Sequence, residues 1–187
     1  MSDSMLLYHA GNIAIPEPDV HFGRKNADFG QGFYLTTSRD FACRWARERS
    51  NMDVVLNIYR LDTEGLSLHS FQRDEAWFDY IFHNRAGRAD TLPHADVISG
   101  PIANDTIYET FGIITSGFLK REQAMQLLMI GPAYEQIALK TEKAARHLRF
   151  VSSEVLEPAH LRFYREAAKD EQDDYQKRFA EVLDSFY

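Results

Sequence analysis

The chain has only one cysteine, Cys43, among its 187 residues. A single cysteine excludes an internal disulfide and cannot build a thiolate metal cluster. The sequence also lacks any run of about 18 apolar residues, the length that a membrane-spanning helix requires. Its N-terminus, residues 1–4, has no basic region of the kind that begins a secretory signal. We therefore expect no membrane partner, and a protein that is cytoplasmic or exported without an N-terminal signal.

Positive charge is scarce as well. Lysine and arginine total 21 against 28 aspartate and glutamate residues, which gives a formal net charge of -7. Because nucleic-acid phosphates are held by a basic surface, direct nucleic-acid binding is not expected. The seven histidines form no HExxH motif and no paired histidine and carboxylate spacing, so no metal is expected either.

The elements that are present alternate irregularly, which favours an α+β fold over a doubly wound parallel sheet. A chain of 187 residues with 44% hydrophobic content suits one domain, with a core over about 5–156 and a C-terminal helix over about 158–185. Apolar and β-branched runs predict strands near 5–10, 32–37, 53–61, 134–141 and 149–156, and a short strand within 95–105. Helical spacing predicts helices over 74–85 and 142–148 and one or two across 106–130. It also predicts a helix that is capped by Ser38 and has Phe41, Ala42, Trp45 and Ala46 on one face.

Three short stretches have the residue types that could carry chemistry. Residues 8–11, "YHAG", contain a histidine at a strand end. The alanine and glycine that follow it have a backbone that a ligand can approach closely. Residues 28–37, "DFGQGFYLTT", lead through two glycines into a strand that contains Tyr34. Residues 134–136, "YEQ", begin a late strand with a glutamate and a glutamine. Taken singly, each also has a structural reading, because such residues also fill cores and end strands.

The order of these stretches resembles the ADP-ribosyltransferase fold of the diphtheria-toxin and poly(ADP-ribose) polymerase type. That group has a histidine followed closely by glycine on its first strand, then a Phe-Gly-x-Gly-[Ile/Phe]-Tyr-[Phe/Leu] segment that leads into a helix. A glutamate or a substitute follows on a late strand. More narrowly, the string from "LLYHAGN" through "RKNADFGQGFYLTT" to "EQIALKTEKAARHLRF" resembles a bacterial family of uncharacterised proteins classed as DUF3990, over roughly residues 5–155.

The resemblance implies an ADP-ribosyltransferase-like split β-sandwich with flanking helices. It also implies that NAD is the substrate of a mono-ADP-ribosyltransferase, a glycosyltransferase-class enzyme. Such an enzyme cleaves the bond between nicotinamide and ribose and transfers ADP-ribose to a macromolecular acceptor, here unknown. A toxin or effector role, with an antitoxin protein as partner, is compatible with this reading. The alternative is a catalytically inactive module of the same fold that binds NAD or another nucleotide.

Residue matching implies a role for each position in the first two stretches. His9 would bond the ribose next to adenine, and the backbone of Ala10 and Gly11 would hold the carboxamide. Tyr34 would stack on the cationic nicotinamide ring, an interaction worth about 0.5 to 2 kcal/mol. Arg24 is the candidate for the diphosphate, because a guanidinium fork suits a pyrophosphate. Alternatively, Arg24 is an exposed charged residue of a loop.

The third stretch leaves the catalytic position open. The residues that follow, "IALKTEKA", align Gln136 with the family's glutamate. Strand alternation allows only one of Glu135 and Gln136 to face a cleft. A glutamine can bond ribose hydroxyls but cannot act as a base near pH 7. The options are therefore slow or substrate-assisted transfer with Gln136, catalysis by Glu135, or a module without activity.

Two further polar groups are ambiguous. One group flanks a Gly-Pro turn and consists of Asp96, Asn104 and Asp105. These residues would either fix the part of a cleft that receives the acceptor molecule, or cap a following helix. The charged stretch 169–174 is interpreted as a solvated helical face.

Overall fold

The computed structural model describes residues 4–44, 46, 49–104 and 117–187. Trp45, Asp105 and the predicted helical residues 106–116 lie outside this description. The described residues form an α+β fold of two sheets and five helices, as predicted. Within these ranges, no helix has the length and apolar character needed to cross a membrane.

Seven strands and five helices are present in the described ranges. The strands are β1 Ser4–Gly11, β2 Phe33–Leu35, β3 Val55–Asp62, β4 Leu68–Ser70, β5 Val97–Pro101, β6 Glu135–Leu139 and β7 Leu148–Val155. The helices are α1 Arg39–Arg44, α2 Glu75–Arg85, α3 Arg121–Leu128, α4 Glu142–His147 and α5 Pro158–Asp184. The predicted strands are confirmed, and β4 was missed because three residues without an apolar run give no local signal.

The two sheets meet along one pair of edge strands. The first sheet has the order β1-β3-β7 and the second has the order β2-β6-β5-β4. All pairings are antiparallel except that of β4 with β5. Tyr8 of β1 and Thr36, just after β2, exchange two backbone hydrogen bonds of 2.8 and 3.0 Å. Among the described residues, this is the only backbone bridge between the two sheets.

Each face of the second sheet packs against a different layer. Phe33 and Leu35 of β2 face the first sheet, where they join a buried cluster with Leu7, Tyr59 and other apolar residues. Because side chains alternate along a strand, Tyr34 points to the opposite face. There it packs against a second cluster built mainly from α2, α3 and α5. Burial of each large apolar side chain in these clusters contributes about 1.5 to 3 kcal/mol.

Short polar caps fix where the first two helices begin. Ser38 Oγ accepts a hydrogen bond of 3.1 Å from the backbone N–H of Phe41, which confirms the predicted cap of α1. Asp74 caps α2 in the same way through the N–H of Trp77 at 3.0 Å. The Ser38 cap starts α1 only three residues after β2, so the strand that holds Tyr34 runs directly into a helix.

The C-terminal helix is part of the core and is more than a charged surface helix. Tyr175 and Phe179 of α5 are buried at 1% and 5% exposure in the helical cluster. The interpretation of residues 169–174 as a solvated face is wrong for Glu171, whose carboxylate accepts hydrogen bonds from Arg44 at 2.7 Å and from the Tyr134 hydroxyl at 2.5 Å. The pairing occurs because Arg44, at the end of α1, lies directly beside α5.

Candidate functional site

His9 lies at the junction of the two sheets, in contact with the backbone of the tyrosine stretch. Its Nδ1 donates a hydrogen bond of 2.8 Å to the carbonyl oxygen of Tyr34. Burial lowers the pKa of His9, and the hydrogen bond to Tyr34 opposes this effect only in part. The ring is therefore neutral near pH 7. Because Nδ1 carries the proton in this bond, Nε2 holds the free lone pair and is a hydrogen-bond acceptor.

Gly11 lies beside this acceptor. A Cβ built on Gly11 would lie 3.6 Å from His9 Nε2, an ordinary van der Waals contact. The other side of the histidine ring is covered, since the His9 and Phe33 rings have centroids 4.7 Å apart. His9 is thus held by Tyr34 and Phe33, and its Nε2 faces the glycine side.

The backbone of Ala10 lies on the open edge of β1. In an antiparallel ladder, successive residues direct their N–H and C=O groups to alternate sides. Tyr8 directs both groups to Thr36 of the other sheet, and Ala10 therefore directs its groups toward that same edge. Within the described part of the chain, no residue bonds to them. One donor and one acceptor are thus presented at the edge of β1 that faces the second sheet.

The Tyr34 hydroxyl fastens the loop that precedes its own strand. It accepts a hydrogen bond of 3.0 Å from the N–H of Phe29 and donates one of 2.6 Å to the carbonyl of Gly30. Gly30 has φ of 73°, a conformation that favours glycine. Burial raises the pKa of Tyr34, the charge of Asp28 adds to this, and the charge of Arg24 opposes it. The hydroxyl is therefore a neutral structural hydrogen-bonding group.

The rings of His9 and Tyr34 lie on opposite faces of β2. The His9 ring contacts Phe33, and neighbouring side chains on a strand point in opposite directions. The structure therefore brings the His9 ring to the backbone of Tyr34 and not to its ring. A ligand that touches both rings must pass along the edge of β2.

Gln136 points inward and Glu135 is exposed. Gln136 is 7% exposed, and its Nε2 donates to Asp28 Oδ2 at 3.2 Å and to the Pro101 carbonyl at 3.4 Å. Tyr34 pairs with Ala138, two residues after Gln136, so the two side chains share one face of the sheet. Diagonal neighbours of this kind are about 7 Å apart. The structure thus brings Gln136 to the Tyr34 side of the second sheet.

Asp28 and Arg85 form a buried ion pair beside Gln136 that sequence reasoning missed. Asp28 Oδ1 accepts from Arg85 Nε at 3.0 Å and from Nη2 at 2.8 Å, and the two side chains are 8% and 4% exposed. Asp28 Oδ2 also accepts from the N–H of Ala103 at 3.2 Å. The only local signal was an aspartate directly before the Phe-Gly-x-Gly turn. Its partner is 57 residues away, so no spacing rule finds it.

Arg24 is exposed in the loop before the tyrosine stretch. Its charge acts on the Tyr34 hydroxyl, as the influence on the pKa of that group shows. The guanidinium is accessible from solvent.

Asp96 and Asn104 fasten loops, and neither bonds to His9, Tyr34 or Gln136. Burial opposes ionisation of Asp96, but hydrogen bonds from Ser67, Thr141 and Lys143 outweigh it and lower the pKa to about 2. Asn104 Nδ2 donates to the carbonyls of residues 130 and 132 at 2.7 and 3.0 Å.

Two cavities lie against α2, away from the predicted residues. One, of about 780 Å³, is lined by residues of α2 and α3. The other, of about 300 Å³, lies between α2 and the aromatic side chains of His69 and Phe71. Neither is lined by His9, Tyr34 or Gln136, so these cavities do not mark the predicted site.

A family model described as "Protein of unknown function (DUF3990)" matches residues 5–150. No curated protein and no solved structure matches the chain. The matched region contains all three predicted stretches and ends before α5.

Proposed function

The chain belongs to the DUF3990 family, whose description assigns no activity, and from this premise we propose that it is a NAD-dependent mono-ADP-ribosyltransferase with an ADP-ribosyltransferase-like fold. The reaction cleaves the nicotinamide–ribose bond and transfers ADP-ribose to a macromolecular acceptor. A toxin or effector role with an antitoxin partner is part of the same proposal.

One observation carries this proposal: the hydrogen bond of 2.8 Å between His9 and the Tyr34 carbonyl at the junction of the two sheets. It joins two stretches that are 25 residues apart in sequence. The acceptor Nε2 of His9 suits a ribose hydroxyl, which donates a hydrogen bond. The outward N–H and C=O of Ala10 suit a carboxamide, which offers one acceptor and two donors. These chemistries match the two ends of NAD.

The third stretch, residues 134–136, affects the rate that we expect for this reaction. Loss of nicotinamide develops positive charge on the ribose, and a nearby negative group stabilises that charge. Gln136 has no charge, and the neighbouring Asp28 is paired with the positive charge of Arg85. We therefore expect slow transfer, or transfer helped by a carboxylate of the acceptor. Catalysis by Glu135 would require the ligand to lie on the other face of β6, away from Gln136.

The amide at residue 136 also supports the second candidate, a module that binds NAD without turnover. The two functions share the binding chemistry of His9 and Ala10 and differ only in the bond-breaking step. Nicotinamide release is therefore the measurement that separates them.

The experiment is a calorimetric titration with NAD and, separately, with ATP, followed by chromatographic measurement of nicotinamide release. We expect NAD to bind in preference to ATP. His9→Ala and Tyr34→Ala should each weaken NAD binding by about 1 to 3 kcal/mol. His160→Ala is the matched control, because His160 is exposed on α5, and it should bind as the unmodified protein does. Absence of NAD binding at millimolar concentration would contradict both candidates.

A further inference from the structure

The side-chain amide of Gln136 is held from one side by two oxygen acceptors. Asp28 Oδ2 lies 3.2 Å and the Pro101 carbonyl 3.4 Å from the amide nitrogen. A backbone carbonyl can only accept, and the Asp28 carboxylate, which accepts two hydrogen bonds from Arg85, acts as an acceptor here as well. The group that faces them must therefore be the NH₂ group. The network itself assigns the oxygen and nitrogen of this amide.

Four hydrogen bonds hold the carboxylate of Asp28 in place beside Gln136. Its Oδ1 accepts two hydrogen bonds from Arg85, while its Oδ2 accepts from the Ala103 N–H as well as from Gln136. Both charged side chains are almost fully buried. The opposite charge of Arg85 at 2.8 Å opposes the field of the carboxylate at longer range. Arg85 therefore reduces the direct charge effect of Asp28 on a ligand, while the effect of Asp28 through Gln136 is geometric.

Gln136 has one remaining polar atom, Oε1, which has no partner among the described residues. Since the NH₂ group faces Asp28, Oε1 points away from it. We propose that Asp28 is a positioning residue that presents the oxygen of Gln136, and not its nitrogen, to a bound ligand. Under the proposed function, on which this inference rests, the oxygen accepts a hydrogen bond from a ribose hydroxyl of NAD.

The same contact explains why residue 136 is a glutamine. A glutamate there would direct a carboxylate oxygen at Asp28, and two like charges at this separation destabilise each other. Asp28 and Gln136 should therefore behave as a coupled pair. Asp28→Asn would restore a donor opposite the carboxylate that Gln136→Glu introduces.

The first test is nuclear magnetic resonance of the side-chain amide protons, which needs no activity. In the unmodified protein the Gln136 NH₂ protons should exchange with solvent far more slowly than those of Gln176, which is exposed on α5. Asp28→Asn should speed the Gln136 exchange by about tenfold or more. Asp79→Asn is the matched control, because Asp79 also pairs with an arginine, Arg121, but at an exposed site. Exchange as fast as that of Gln176 in the unmodified protein would overturn the inference even if Asp28→Asn does not fold.

The second test is the stability of the two single variants and the double variant. Asp28→Asn with Gln136→Glu should unfold at a higher temperature than Gln136→Glu alone, because the two carboxylates no longer meet. A double variant no more stable than the sum of the single effects would contradict the pairing.

The third test uses the proposed reaction. Asp28→Asn should lower kcat for nicotinamide release by about tenfold or more and leave KM for NAD within about threefold. Failure of the proposed function would appear as no turnover in any variant, while the exchange and stability measurements still decide the role of Asp28. An unchanged kcat in an active protein would overturn that role.

Discussion

Tyr34→Phe is expected to destabilise the protein, because it removes only the hydroxyl that fastens the loop before β2. That oxygen accepts from the N–H of Phe29 at 3.0 Å and donates to the carbonyl of Gly30 at 2.6 Å. Phe29 is fully buried, and the surrounding ring contacts remain in the variant. The substitution therefore leaves a buried donor and a buried acceptor without their partner.

The magnitude follows from those two groups. A buried polar group that loses its partner costs about 1 to 3 kcal/mol. Partial entry of water reduces the combined cost, so we expect the free energy of unfolding to fall by about 2 to 3 kcal/mol. For a chain of this size each kcal/mol corresponds to about 2 to 4 °C in Tm, which gives a decrease of about 4 to 12 °C.

Urea denaturation measures the free energy, and calorimetry measures Tm. Tyr8→Phe is the matched control, since Tyr8 is also half-buried at the sheet junction but its hydroxyl bonds to none of the described residues. It should stay within about 0.5 kcal/mol of the unmodified protein. A Tyr34→Phe variant as stable as Tyr8→Phe would refute the role of the hydroxyl in holding the loop.

Two further predictions concern pH. Burial lowers the pKa of His9 below 6.5. As pH decreases, the unfolded chain therefore binds a proton at His9 before the folded chain does. Stability should therefore fall as pH decreases below about 6.5, and His9→Gln should show a smaller decrease in urea denaturation between pH 7.5 and about 5. Asp96 has its pKa lowered from 3.8 to about 2, so its stabilisation is present above pH 3.8 and lost as pH falls toward 2. Asp96→Asn should be less stable at pH 7, and a pH-dependent loss as large as that of the unmodified protein in this acid range would contradict the assignment.

The sequence predicted most of the strands because their signals are local. Runs such as residues 53–61 and 134–141 alternate or concentrate apolar residues over a length that a strand requires. The Gly-x-Gly turn and the Ser38 cap likewise act within a few residues of where they occur. The three-residue strand β4 has no such run, because its pairing with β5 is the result of tertiary packing.

The partners of the candidate site residues could not be predicted in the same way. Strand alternation predicts that only one of Glu135 and Gln136 faces inward. Which of the two does so depends on the packing of α2 and the loop at Asp28. Asp28 and Arg85 meet only after that packing is complete. Likewise, stacking on a ligand would use only the ring of Tyr34, whereas the folded chain uses its hydroxyl to close a turn.

The family match ends at residue 150, yet α5 is tied to two of the three stretches that define the proposed site. Arg44, at the end of the helix after Tyr34, donates to the Tyr134 hydroxyl at 2.9 Å and to Glu171 of α5 at 2.7 Å. Tyr134 directly precedes the strand that contains Gln136. Glu171 therefore holds together the helix that follows the second stretch and the strand of the third. Since α5 also buries Tyr175 and Phe179 in the cluster that receives Tyr34, a chain cut before Pro158 would lose support for both positions. Lack of NAD binding by such a fragment would therefore say nothing about the whole chain.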